Sequence, residues 1–340
     1  MVCRVNNGKT CFRKAAADLE RTAQVEIRTE QFRQLVEAEG GRVLRSQAAG
    51  EIETGLSVAD CQVPGKPRTT RMYVGVDGVM VPIITDTEKQ KRRRKVVRKR
   101  RQAERAGKKL RPLPPRPRGA DQGFKEFKTI VFHNEENTKR QILLSRCRRT
   151  QIGAIVKREA RRVKFHAAQE RIANVDGASW IPPQLEAADL RLHGLGLDFY
   201  HLSENVHRAR RQVYGEKHPV GDAWLANFLH LVKHQGYEAA YEFLLNWQRG
   251  LRGNKRAAAT RLLNYVVDRR DMINYPEFQS RGWQFGSGPT EARCKTSTAR
   301  LKNSGQRWNS RSAEQIAALG NLFDNCQWES YWASRRAATS

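Results

Sequence analysis

Two segments of the sequence end an apolar run with the same dipeptide, Asp-Gly. They are "VGVDG", which contains Asp77, and "ANVDG", which contains Asp176. Asp-Gly is common in tight turns, because glycine adopts positive φ and aspartate bonds its own backbone. Each acid alone is therefore explained by a turn, and "VGVDGVMVPI" is compatible with a hairpin at Asp77.

Together, the two aspartates suggest a metal site. If their strands are parallel neighbours in the middle of a sheet, the carboxylates come close and repel each other unless a cation lies between them. Acid pairs that hold Mg²⁺ or Mn²⁺ serve two-metal phosphoryl transfer. A third carboxylate normally completes the site, since hard cations prefer oxygen ligands.

Glu291 is the candidate for this third ligand. It follows "GSGP", which predicts a loop before a helix, so Glu291 is expected in the first helical turn. The helix dipole alone also favours an acid there. A functional site is favoured by the cations that follow, which are interleaved with hydroxyl residues and suit a phosphate backbone: Arg293, Lys295, Arg300, Lys302 and Arg307.

The segments around these acids predict an α/β protein with a mixed sheet flanked by helices. Strand character at 72–78, 79–85 and 124–134 is followed by an amphipathic helix, the strand before Asp176 and a further strand at "LGLDFYHL". Residues of about 202–281 predict a helical block, and Ala313 to Trp328 a last helix. Residues 1–68 predict a small helical region in which Thr29 caps a helix.

The charge of the chain indicates a polyanionic partner. Its 340 residues include 63 Lys and Arg against 35 Asp and Glu, a net charge of +28. Nucleic acid is the expected partner, with an anionic membrane surface as the weaker alternative. No apolar run approaches the roughly 18 residues of a spanning helix. The N-terminus has no signal-peptide core, and six scattered cysteines predict a reduced, cytoplasmic protein without a zinc site.

A strongly basic segment interrupts the predicted strands. Lys89 to Arg118 holds sixteen Lys and Arg in thirty residues and ends in "RPLPPRPRG". Like charges repel and prolines block regular structure, so 88–122 is predicted to be a disordered basic insertion. It would act as a DNA clamp, a tolerated surface insertion or a nuclear-localisation signal. The candidate DNA contacts within it are Lys91, Arg92, Arg93 and Arg94.

Five segments, in order, resemble landmarks of the Kra-type bacterial insertion-sequence transposases, and more distantly the Mutator-like DDE transposases. They are "YVGVDGVMVP", "GFKEFKTIVF", "NVDGASWIP", "LDFYH" and "GSGPTEARCK…RLKNSGQRW". The resemblance implies an RNase H-like catalytic domain over 69–340, with an all-helical insertion before the last acid. It implies that Asp77, Asp176 and Glu291 hold Mg²⁺ or Mn²⁺ for DNA strand cleavage and strand transfer. We expect a homo-oligomer on transposon-end and target DNA at the bacterial nucleoid.

The same relatives carry an Asp/Cys-x-x-His motif after the second acid, matched here by Asp198 and His201. The motif is implied to support the active site or a DNA end, and Asp198 stays an alternative second metal ligand. The relatives begin with a longer N-terminal region, often with a zinc-binding or helix-turn-helix element for transposon ends, whereas 76 residues without zinc ligands precede Asp77 here. A truncated reading frame that lacks end recognition is therefore an alternative to an active transposase. Two other functions stay open, a non-catalytic DNA-binding remnant and an RNase H-like nuclease for RNA or branched DNA.

Overall fold

A computed structural model describes residues 1–7, 11–108, 123–303 and 308–337. The strands in these residues are β1 (Gln62–Val63), β2 (Lys66–Ile83), β3 (Gly123–His133), β4 (Arg140–Ser145), β5 (Glu170–Val175) and β6 (Gly194–Leu197). The helices of the first half are α1 (Val2–Asn7), α2 (Phe12–Ala23), α3 (Thr29–Ala49), α4 (Asp86–Arg105), α5 (Ile152–Arg162) and α6 (Ile181–Ala187). Those of the second half are α7 (Phe199–Tyr214), α8 (Pro219–Gln235), α9 (Tyr237–Arg249), α10 (Gly253–Val267), α11 (Tyr275–Arg281), α12 (Gly288–Lys302), α13 (Ser310–Asp324) and α14 (Trp328–Ala337).

The strands form one mixed sheet in the order β4-β3-β2-β5-β6, with β1 paired to the start of β2. The first half is antiparallel, since β3 pairs in this way with both β2 and β4. The second half is parallel, because β2 pairs with β5 and β5 with β6 in the same direction. The predicted α/β fold with a mixed, helix-flanked sheet is thus confirmed, and β2 is its central strand.

The prediction of a hairpin at Asp77 is wrong. Strand β2 runs without a turn through this position, with Asp77 paired to Thr129 and Gly78 to Lys128. Strand β3 pairs with β2 from Tyr73 to Ile83 without a break, which satisfies the backbone groups on both sides of Asp77. The Glu126 carboxylate lies beside Gly78, and an added Cβ there would make the Glu126 side chain move.

The two faces of the sheet bury different helices, because side chains alternate along a strand. Val74 and Val76 of β2 belong to the core that includes Val156 of α5 and Leu185 of α6. On the opposite face, Val81 packs in a core shared with α2, α3 and α12 to α14. Asp77 is in phase with Val81 along β2, and therefore points towards the face on which α12 lies.

The N-terminal helices contribute to this second core. Phe32 of α3 is fully buried there, and the Tyr331 hydroxyl of α14 donates to Glu39 of α3 at 2.5 Å. Thr29 does not cap α3 as predicted. It is the first helical residue, and Arg28 occupies the cap position without a side-chain hydrogen bond. Tertiary packing, not capping, therefore holds this helix.

The basic segment differs most from its prediction. Residues Asp86–Arg105 form helix α4, which starts with a capping box between Thr85 and Glu88. Lys and Arg are good helix formers, and their exposed charges are screened by water and salt. None of the residues 87–105 is buried. The prolines that argued against regular structure, and the rest of the predicted insertion from 109 to 122, lie outside the described residues.

The helical block between β6 and α12 consists of α7 to α11. Its interior is aromatic, with the Trp224 and Trp247 rings stacked at 4.0 Å between centroids and Phe228 against Trp224 at 5.8 Å. Within the described ranges, no helix combines the length and apolar character needed to cross a membrane.

Candidate active site

Three aspartates lie in, or directly after, three neighbouring parallel strands. Asp77 is within β2, while Asp176 and Asp198 directly follow β5 and β6. Val74 is paired with Ala173, and Val175 with Leu197. Continuing both ladders in the same register places the three aspartates side by side. Side chains at this end of parallel strands are well placed to converge on a ligand.

Helix α12 brings Glu291 to the same place. Glu291 lies in the first turn of α12, as predicted, and its Oε1 accepts a hydrogen bond of 2.8 Å from the Ser287 hydroxyl. One turn later, the Cys294 thiol donates to Asp77 Oδ2 at 3.2 Å. The first two turns of α12 therefore contact Asp77 of the sheet and also carry Glu291.

Gly75 permits this close approach of helix and strand. It lies two residues before Asp77 on the same face of β2. An added Cβ would come within 2.9 Å of the Thr290 Cβ and closer still to the Thr290 hydroxyl. Any other residue at position 75 would push away the turn of α12 that carries Glu291.

The segment that leads into α12 is tied to β2 by a buried arginine. Arg71 is 2% exposed and forms ion pairs with Glu170 at 2.6 Å and Glu135 at 2.8 Å. Its guanidinium also donates to the carbonyl oxygens of Gly282 at 2.7 Å and Arg281 at 3.1 Å. Because all four partners converge on one rigid group, the entry to α12 is held at a defined place beside the sheet.

The acids interact with one another electrostatically. Burial raises the pKa of Asp77, and the charges of Asp176 and Glu291 raise it further. Hydrogen bonds from the Cys294 thiol and the Gly78 amide act in the opposite direction. The site therefore concentrates negative charge on hard oxygen ligands, which is the donor set that Mg²⁺ or Mn²⁺ requires. The residues present fit a divalent cation.

Asp198 is placed differently from its prediction. It does not lie within a strand but caps α7, where its Oδ1 accepts from the His201 amide at 2.9 Å. Its Oδ2 accepts from the Ser287 amide. Burial alone would raise the pKa of Asp198, yet hydrogen bonds from His201 and Ser287 lower it to about 2. Asp198 is thus a fixed, ionised group that joins the start of α7 to the loop before α12.

His201 lies between two acids of the site. Its Nδ1 is 3.3 Å from Asp198 Oδ1 and 3.6 Å from Glu291 Oε1. The interaction with Asp198 raises the pKa of His201 to about 9, although burial opposes it, and the charges of Glu291 and Asp176 add to the rise. Among the described residues, Asp198, His201 and Glu291 form a group whose ligand atoms all lie within 4.8 Å of one another.

The predicted DNA-contacting cations do not form one surface. Lys295 and Lys302 are exposed and lie within about 40° of Glu291 around α12, at 100° per residue. Arg300 instead lies over the rings of Phe12 and Trp308, with its guanidinium carbon 5.1 and 5.7 Å from their centroids.

Arg293 is also partly withdrawn from solvent, and burial, with the nearby charge of Arg140, lowers its pKa. Lys91, Arg92, Arg93 and Arg94 lie on α4, which begins beyond the end of β2, and Arg307 lies outside the described residues.

Sequence reasoning missed several residues that shape the site. Gly75, Thr290, Ser287 and Cys294 all position an acid or the helix that carries it. One signal was visible, since Gly75 and Asp77 have the alternate spacing that places two residues on one face of a strand. The contacts of Gly75 with Thr290 and of Asp77 with Cys294 join residues more than 200 positions apart, which no local pattern reveals.

No protein-family model matches this chain, and no curated protein sequence matches it significantly. What the protein does must therefore be inferred from its own residues and their geometry.

Proposed function

We propose that the protein is a DDE transposase with an RNase H-like fold, which cleaves and joins DNA strands with divalent metal ions. The observation that carries the proposal is that the charges of Asp176, after β5, and of Glu291, on α12, act on Asp77. The parallel register of β2 and β5, continued from Val74 and Ala173, sets Asp77 opposite Asp176. Three antiparallel strands followed by two parallel ones, with β2 at the centre, support this fold. The resemblance of the five sequence landmarks to Kra-type transposases supports the same function.

Asp77, Asp176 and Glu291 would hold the metal ions. When bound, such ions supply Lewis acidity and an activated hydroxyl nucleophile for phosphoryl transfer. Asp176 is preferred to Asp198 as the second ligand because "NVDGASWIP" matches the landmark of the second acid, whereas "LDFYH" matches the separate Asp/Cys-x-x-His motif. Both oxygens of Asp198 accept from backbone amides, of His201 and Ser287, which suits a role in orienting α7 and the loop before α12.

His201 would act through Glu291. With its pKa near 9, the imidazole is a cation at neutral pH and attracts both Asp198 and Glu291. This contact, together with the Ser287 hydroxyl, fixes one oxygen of Glu291. The other oxygen is then oriented before a metal arrives. His201 is thus a positioning residue in the proposed reaction.

DNA is the proposed substrate because of the charge around the acids. The net charge of +28 favours a polyanion, and binding that releases counterions would weaken linearly in log salt. Lys295 and Lys302 lie on the stripe of α12 that also carries Glu291, so they would hold a phosphate backbone beside the site. We also propose that the active form is a homo-oligomer on DNA, in which two DNA ends can be joined to a target.

The test uses a labelled duplex that contains the DNA flanking the gene on each side. With Mg²⁺ or Mn²⁺, the purified protein should nick this duplex and join its 3′ end to a target plasmid. Asp77→Asn should reduce both products at least a thousandfold, while DNA binding is retained. Nicks without joined strands would favour an RNase H-like nuclease. Binding without any metal-dependent cleavage would favour the non-catalytic remnant.

A further inference from the structure

Helix α4 is held at its base and projects its side chains into solvent. The chain enters it through a backbone hydrogen bond of 2.9 Å from the Ile84 amide to the Trp308 carbonyl. The Thr85–Glu88 capping box follows, and Lys125 of β3 pairs with Glu88 at 2.6 Å. Beyond this first turn none of its residues is buried. The fold therefore fixes where α4 starts but uses none of its surface for a core.

The charges of α4 surround it on every side. Its twenty residues include eleven Lys and Arg and three acids. At 100° per residue, no sector wider than about 80° lacks a basic side chain. A helix that lies flat on a phosphate backbone needs cations on one face only. Cations all round suit a helix with phosphates on both sides.

We propose that α4 is a DNA-binding arm that enters the major groove of a duplex and contacts the phosphates of both groove walls. The inference rests on the proposed function, from which it takes DNA as the partner. It adds a second surface that contacts the DNA. A major groove about 12 Å wide admits an α-helix, and α4 would span about 30 Å at 1.5 Å per residue. The exposed Val96 and Val97 place apolar surface where thymine methyl groups lie.

The arm starts at a distance from the acid cluster. Asp77 and the end of β2 at Ile83 are separated by six residues, or about 20 Å of strand. The arm would therefore bind a part of the DNA that is not being cut. This arrangement predicts that α4 and the acids can be altered independently, the first changing DNA affinity and the second changing chemistry.

The first experiment removes charge from α4. In one variant Arg93, Arg94, Arg98 and Arg101 become Gln, and a matched control changes Arg249, Arg252, Lys255 and Arg256, four exposed cations of the helical block, to Gln. Affinity for a 30-base-pair duplex is measured from 50 to 300 mM salt. The α4 variant should bind at least tenfold more weakly at 150 mM, with a log–log salt slope smaller by about 3 to 4. The control should keep the wild-type slope, and equal slopes in both variants would overturn the proposal.

The second experiment separates helical shape from charge. Val97→Pro breaks the helix but keeps every cation, while Val97→Leu keeps the helix, the cations and an apolar side chain at this position. Groove binding predicts that only the proline variant loses affinity, and that methyl green in the major groove competes more strongly than netropsin in the minor groove. An A-form RNA duplex should bind more weakly, since its major groove is too narrow for a helix. Unchanged DNA binding by Val97→Pro, or tighter binding of the RNA duplex than of the DNA duplex, would contradict the proposal that α4 enters the major groove.

Failure of this proposal can be told from failure of the proposed function. If wild-type protein binds duplex DNA and cleaves it but the α4 variants bind equally well, the arm is refuted and the transposase proposal stands. If wild-type protein binds no DNA at all, both are refuted.

Discussion

The acid cluster beside α12 and the basic helix α4 carry opposite charges and are held in place by opposite means. Asp77, Asp176, Asp198 and Glu291 come from four elements and are positioned by tertiary contacts, including Gly75 against Thr290 and Asp198 against Ser287. Helix α4 is defined by helix-forming residues and one capping box, and none of its residues 87–105 is buried. Carboxylates that bind a small cation must be held at fixed positions. Lys and Arg side chains that bind a long polyanion need only be numerous and long enough to contact its phosphates.

The largest effect on stability is expected at Arg71, which supports the acid cluster from within. Arg71→Met removes a buried cation from Glu135 and Glu170 and should lower the free energy of unfolding by about 3–5 kcal/mol. Arg21→Met breaks an exposed pair with Asp18 and should cost less than about 1 kcal/mol. Urea denaturation of both variants measures the difference. Similar losses of unfolding free energy in the two variants would mean that the buried ion pairs of Arg71 stabilise the protein no more than the exposed pair of Arg21.

Gly75→Ala tests the approach of α12 to β2. The new methyl group has no room beside Thr290, so a loss of about 1–3 kcal/mol is expected from overpacking. Gly320→Ala in α13 is the control, because nothing lies within 4 Å of its added Cβ. That control should stabilise the protein by about 0.5–1 kcal/mol. If Gly75→Ala were as stable as Gly320→Ala, the close contact that positions Glu291 would be absent.

The smallest effect is expected at the cap of α4. The hydrogen bond from Lys125, with those from Thr85, lowers the pKa of Glu88 from 4.5 to about 2. A depressed carboxyl pKa stabilises the fold above the unfolded value, so this contribution is complete above about pH 4.5 and is lost as the pH falls towards 2.

Thr85→Ala should remove about 1 kcal/mol from the helix start at any pH. The Cα chemical shifts of residues 86–90 would report the loss of helix, both in Thr85→Ala and in wild type at pH 2. Shifts that stay helical in Thr85→Ala at pH 5 and in wild type at pH 2 would show that the cap does not fix α4.

The sequence predicted the elements that bear the acids better than the contacts between them. Asp77, Asp176 and the first-turn position of Glu291 follow from apolar runs and loop signals, which are local. The unbroken path of β2 depends on pairing with β3 across the basic segment. The interior place of Arg300 depends on Phe12, nearly 300 residues away in the chain. Both depend on tertiary packing, which overrides local preference.

The helix in the basic segment was missed for a different reason. Repulsion between like charges argues against a helix there, but exposed charges are screened and each like pair costs only about 0.2–0.5 kcal/mol, so helix propensity prevails. The prolines that supported a loop follow Arg105 in the sequence and so did not bear on α4 itself.

The central claim, that Asp77 and its partners hold a divalent metal, is tested most directly by thermal unfolding with and without Mn²⁺. Burial, with repulsion from Asp176 and Glu291, raises the pKa of Asp77, so Asp77→Asn should unfold at a higher temperature than wild type in EDTA. Mn²⁺ at 100 times its dissociation constant should stabilise wild type by about 2.7 kcal/mol, a rise of a few degrees, and leave Asp77→Asn unchanged. An equal Mn²⁺-dependent rise in both proteins would contradict the account.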